Sequence, residues 1–188
     1  MKNTIYVLIA LFMAGCSSIK VTSDYDKEAD FTKYSTFMYY GWSENSDKIL
    51  NDFDKKRIEE AFKDEFSKRG WNLTQSDADA TVSLFIVVDQ KTSYTSYTNH
   101  YGGGMYGGMY GPRYGYGMGG MSTTTTQRND YLEGTLIVDV FDTEEKKHIW
   151  QGIGKKTINE DSKDREGDIR YAVSAIMKQF PIKPIATK

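Results

Sequence analysis

Two apolar stripes at helical spacing flank a central block that alternates every second residue, and this order points to a sheet covered by helices. The first stripe is Ile58, Ala61, Phe62 and Phe66, within a helix expected over residues 51–69. Asn51 or Asp52 can cap its start, and Asp52 and Asp54 favour the positive end of its dipole. Gly70 supplies the left-handed conformation that ends such a helix. The second stripe is Ile169, Val173, Ile176 and Phe180, stopped by Pro181.

Strands are expected over residues 30–42, 80–91, 131–141 and 147–158, with a further short one near Ile19 and Val21. In the first, Phe37 and Tyr39 share one face, and Met38 and Tyr40 share the other. In the second, Val82, Leu84, Ile86 and Val88 form the side that should face the helices. The polar turn 142–146 joins the last two into a hairpin. Gly152 and Gly154 mark a bulge or a close approach of backbone. The expected fold is α+β: a mostly antiparallel sheet with two helices packed on one face.

Residues 92–128 break the pattern. Ten of the 17 glycines fall between Gly102 and Gly120, and half of the 14 tyrosines lie in the wider segment. Glycine loses the most backbone freedom on ordering, and few aliphatic side chains are present to offset that loss. The expectation is a long disordered insertion at a hairpin tip, whose arms are roughly 83–97 and 122–139. The run Thr123–Thr126 has strand propensity and extends the second arm.

Cys16 is the only cysteine, so no internal disulfide can form and the core must hold the domain together. Lys2, the apolar run 5–13 and the small residues Ala14 and Gly15 precede it, the three-part layout of a secretory signal. The run is far shorter than the roughly 20 residues needed to span a bilayer. Met13-Ala14-Gly15-Cys16 resembles a lipobox, with Met13 where Leu is commoner. Residues 1–15 are thus expected to be a cleaved signal, 16–23 a lipidated tether, and 24–188 a single domain. Diacylglycerol on the Cys16 sulfur and an N-acyl chain would be the only covalent additions, with no other cofactor. Two or three acyl chains make release negligible. Ser17, rather than Asp, follows Cys16, which favours the outer membrane with the domain in the periplasm.

Chemistry is sparse. The net charge of −2 gives no basic stripe for nucleic acid. His100 and His148, the two histidines, have no serine or cysteine partner in a recognisable motif. HExxH, paired-cysteine and phosphate-loop motifs are absent. Acidic clusters lie at Asp24 to Asp30, Asp77 and Asp79, Asp142 to Glu145, and Glu160 to Asp164. Such pairs could serve a carboxylate-dependent hydrolase, but charge in turns is usually solvation. Trp42, Trp71 and Trp150 are expected to pack rather than bind ligand.

The insertion offers two functional readings beside a sticky loop with no specific ligand. Tyr101, Tyr106, Tyr110, Tyr114 and Tyr116, with Tyr94 and Tyr97, suit a wet interface with an envelope glycan or protein partner. Met105, Met109, Met118 and Met121, with His100, offer soft ligands to Cu(I). The leading expectation is a non-enzymatic envelope lipoprotein that binds a protein or polymer partner, with Cu(I) handling as the alternative.

Five segments carry a family resemblance: DYDKEADFTKYSTFMYYGW (24–42), KRGW (68–71), SDADATVSLFIVV (76–88), EGTLIVDVFDTEEKKHIWQGIG (133–154) and the closing FP (180–181). Together they resemble the domain-of-unknown-function 4136 lipoproteins across nearly all of the chain after the signal. The most telling stretch runs from Gly134 to Asp139 and on through Trp150-Gln151-Gly152. The resemblance implies an outer-membrane lipoprotein with a periplasmic α+β domain and a Gly- and aromatic-rich insertion; it implies no activity and no catalytic residue.

Overall fold

The computed structural model describes residues 19–100, 122–159 and 161–185. Strands β1 (Lys20–Tyr25), β2 (Thr36–Trp42), β3 (Asn72–Leu73), β4 (Ala80–His100), β5 (Ser122–Asp142) and β6 (His148–Thr157) form one sheet in the order β1-β6-β5-β4-β2-β3. The helices are α1 (Glu44–Ile49), α2 (Asp52–Ser67) and α3 (Arg165–Met177). The sheet is mixed. β6 pairs antiparallel with β1 and β5, whereas β2 pairs parallel with β3 and β4. A parallel neighbour requires a crossover, and α2 supplies it between β2 and β4.

Two compact units result among the described residues: those within 19–89 and 132–185, and those within 90–100 and 122–131. The first holds the core. α2 starts where Asn51 accepts a bond from the Asp54 amide, and it ends before Gly70, whose φ is +87°. Ile58, Ala61, Phe62 and Phe66 are all buried, as their spacing requires. So are Val173, Ile176 and Phe180 of the second stripe. The two long helices run side by side in the same direction. Arg165 at the start of α3 holds Asp54 at the start of α2, Arg170 holds Asp64, and Arg69 at the end of α2 donates to the Met177 carbonyl at the end of α3.

The core differs along its length. Near the helix C-termini it is aromatic: Phe66 stacks on Trp71 at 5.6 Å, and Phe180 meets Phe31, Phe66, Trp71 and Trp150 edge-on. Gly152 lets α3 approach the sheet, because a Cβ there would come within 2.6 Å of Ile176 Cγ2 and 2.8 Å of Trp150 Cζ2. That contact accounts for glycine two residues after the tryptophan.

Several boundaries depart from expectation. The short strand expected near Ile19 and Val21 forms as β1, which begins inside the stretch read as tether and pairs with β6. The strand expected from residue 30 begins at Thr36, because Asp30 caps a 3-10 turn, Phe31–Lys33, through bonds to Thr32. The expected insertion is narrower, since strand continues through 92–100 and 122–128.

Candidate functional site

The second unit is a two-stranded ribbon made by the ends of β4 and β5. Four cross-strand contacts share one register: Thr92 to Asp130 at 2.6 Å, Ser93 to the Asn129 carbonyl at 3.5 Å, and the hydroxyl pairs Ser96–Thr126 and Thr98–Thr124 at 3.3 Å. Hydroxyls that bond across the strands explain why a segment with little aliphatic content is strand rather than coil. Arg128 holds Asp130 at 3.1 Å, and with Thr92 it keeps that carboxyl below its usual pKa. Tyr94 and Tyr97 are 67% and 60% exposed. His100 is the last residue of β4. The other insertion candidates, Tyr101, Tyr106, Tyr110, Tyr114, Tyr116, Met105, Met109, Met118 and Met121, lie outside the described residues, as does Cys16.

The first unit contains a groove of about 620 Å³ at the N-terminal ends of α2 and α3. Ile49, Leu50 and Ile58 form one wall, Ile86, Val88, Leu132 and Leu136 the sheet side, and Ile169 and Ala172 the α3 side. Alternation in β4 pointed Ile86 and Val88 toward the helices; the structure places them in this groove instead of the sealed core. No sequence motif announces the groove, because its walls come from six separate stretches of chain.

Two carboxylates line it, and both are occupied. Burial pushes the Asp54 carboxyl up, but Arg165 and Arg57 outweigh this and hold its pKa below the ordinary value. Asp168 is also held low, by Lys156 at 2.6 Å and then by the Ser162 hydroxyl at 2.6 Å. Glycosidase chemistry needs a carboxyl whose pKa is raised, so this pair is tuned in the wrong direction for a general acid.

Three members of the other acidic clusters, Asp79, Asp142 and Asp164, bind backbone of the fold. Asp79 accepts from the Ser35 and Thr36 amides, Asp164 from the Gly167 amide, and Asp142 from the Glu145 amide and the Tyr34 hydroxyl. His148 stacks on Phe141 and lies 3.1 Å from Asp139, which also accepts from Gln151. Trp71 and Trp150 are core residues, and Trp42 donates to Glu59. Among the described residues, no helix is long and apolar enough to cross a membrane, and no group of three or more acidic, histidine or cysteine side chains is placed to hold a metal.

The family model described as Domain of unknown function (DUF4136) matches residues 21–182. The chain belongs to this family. In this DUF4136 member the match runs from Val21 in β1 to just past α3, and so includes the ribbon strands and the described groove lining except Ile19. Comparison with curated proteins finds no match. Among solved structures, a PDZ domain protein from Parabacteroides distasonis has a TM-score of 0.52 at 14% identity, over 98% of this chain; the chain spans 41% of that protein's length. This shared architecture concerns the fold alone. A PelC dodecamer from Paraburkholderia phytofirmans, solved in two crystal forms, aligns with a TM-score of 0.46 at 9% identity, over 85% of this chain and 95–96% of that one.

Proposed function

We propose that the protein is a non-enzymatic envelope lipoprotein, anchored through Cys16 in the outer membrane with its domain in the periplasm, and that it works by binding a protein or envelope polymer. The observation that carries the binding role is the ribbon made by residues 90–100 and 122–131, with hydroxyl side chains along it and Tyr94 and Tyr97 largely exposed. Exposed tyrosines on a hydroxyl-rich strand pair suit a wet contact surface, where ring stacking and hydrogen bonding act together. The occupied carboxylates of the groove give hydrolysis no comparable support.

Crosslinking in intact cells followed by mass spectrometry tests the reading. Deleting residues 102–120, or replacing Tyr94 and Tyr97 by Ser, should leave the domain folded and remove its crosslinked partners. An unchanged set of partners in folded variants would sink it.

A further inference from the structure

The groove is aliphatic throughout its apolar lining. Among the described residues no aromatic ring lines it, although rings make up 14% of the chain and fill the core at the other ends of α2 and α3. Branched aliphatic walls fit a slender, flexible hydrocarbon; they offer no flat platform for a sugar or a heteroaromatic ring. The charged groups that line it are engaged with each other, Arg165 with Asp54 and Lys156 with Asp168. The occupant therefore enters by its apolar end, and its polar end is held elsewhere.

The beginning of the described chain indicates where. Ile19 is itself a lining residue, and its Cδ1 lies 3.0 Å from the place a Cβ on Gly154 would take. Cys16 is three residues earlier, at most about 10 Å of extended chain away. Ile49, which lines the groove, is 44% exposed.

We propose that the groove receives one hydrocarbon chain of the lipid on Cys16. This rests on the reading of Cys16 as lipidated. The volume falls within the range of roughly 300–1,000 Å³ typical of sites that enclose small ligands. Each methylene gains free energy on leaving water, whether it enters a bilayer or an apolar protein groove. One chain can thus exchange between membrane and groove at little cost while the others stay inserted. That exchange would hold the mouth of the groove, with the exposed Ile49, against the membrane surface.

The test uses cells making the full-length protein and fed a fatty acid that carries a diazirine near its end and a terminal alkyne. After irradiation, crosslinked peptides are mapped. The expected result is a light-dependent link from the acylated Cys16 peptide to α3 peptides containing Ile169 and Ala172. The link should be lost in Ala172→Trp and in Val88→Trp, each of which fills the groove, while Cys16 stays acylated; protease resistance identifies whichever variant folds. Acylated Cys16 with no link to the groove overturns the proposal. So does a groove linked only to phospholipid chains, or a link that survives filling in a folded variant. An unlabelled Cys16 overturns it too, and separately identifies the anchor reading as the failure.

Discussion

Arg165 grips Asp54 through two nitrogens: Nε lies 3.0 Å from Oδ1 and 2.8 Å from Oδ2, and Nη2 lies 2.8 Å from Oδ2. One carboxylate thereby fastens the starts of both long helices. Asn51 completes the arrangement, donating to Oδ2 and accepting from the Asp54 amide. The Asp54 side chain is 1% exposed, whereas Arg165 and Arg57 are 43% and 37% exposed and can turn to water if it is removed. Asp54→Ala should therefore cost about 1.5–3 kcal/mol, the worth of hydrogen bonds to a charged group rather than the larger penalty of a stranded buried charge. Urea denaturation checks this, and a midpoint equal to wild type would contradict it.

Arg69 plays the corresponding part at the other helix ends. Its guanidinium donates to the carbonyls of Glu65, Met177 and Ile182 and to the Glu65 carboxylate, and its side chain is 3% exposed. Arg69→Met removes these bonds, although Lys68 still donates to the Glu65 carboxylate and the Phe180 amide to the Met177 carbonyl, and should destabilise by about 3 kcal/mol. Arg69→Lys should recover only part of the loss, since an ammonium cannot reproduce the fork. Full recovery by Lys, seen in the same denaturation assay, would be the contrary result.

Acid should act through Asp142. Burial pushes its carboxyl up, but the Lys33 ammonium, the Glu145 amide and the Tyr34 hydroxyl outweigh burial and bring the pKa from 3.8 to about 2. A depressed folded-state pKa contributes stability that is fully present above the unfolded value and lost as pH falls toward the folded one. Stability should thus fall by about 2 kcal/mol from this group between roughly pH 4 and pH 2. The decline measured across that window should be shallower in Asp142→Asn. An identical pH dependence in that variant would show that another group dominates.

Gly152 and Gly134 should tolerate a methyl group differently. At Gly152 the added carbon meets the Trp150 ring and Ile176, both packed in the core, so Gly152→Ala should cost about 1–3 kcal/mol by overpacking. At Gly134 it meets the Ile158 side chain at 3.1 Å, an end that can swing aside. Gly134→Ala should stay within about 0.5 kcal/mol of wild type. Paired thermal melts compare the two, and equal losses would contradict the packing account.

What the sequence revealed depended on how local the signal was. The Asn51 cap, the stripe from Ile58 to Phe66 and Gly70 specify α2 within one stretch of chain, and that helix forms where they place it. The hairpin of β5 and β6 was equally legible, because alternating residues flank a short polar turn. The position of β2 was not, since parallel pairing with β4 depends on residues far apart in sequence. Nor was the role of Asp54, which reads as an exposed first-turn acid until α3 brings Arg165 against it. The groove was hidden for the same reason: Ile86, Leu132 and Ile169 read as core, and only the packing of α2 and α3 leaves space beside them.

The central claim is that this domain is held to the envelope by lipid on Cys16, and intact-mass measurement of protein purified from its native membrane tests it most directly. The account predicts a chain that begins at Cys16 and carries the added mass of a diacylglycerol and an N-linked acyl group. A chain that begins at Met1, or one that carries an unmodified thiol at Cys16, would contradict it.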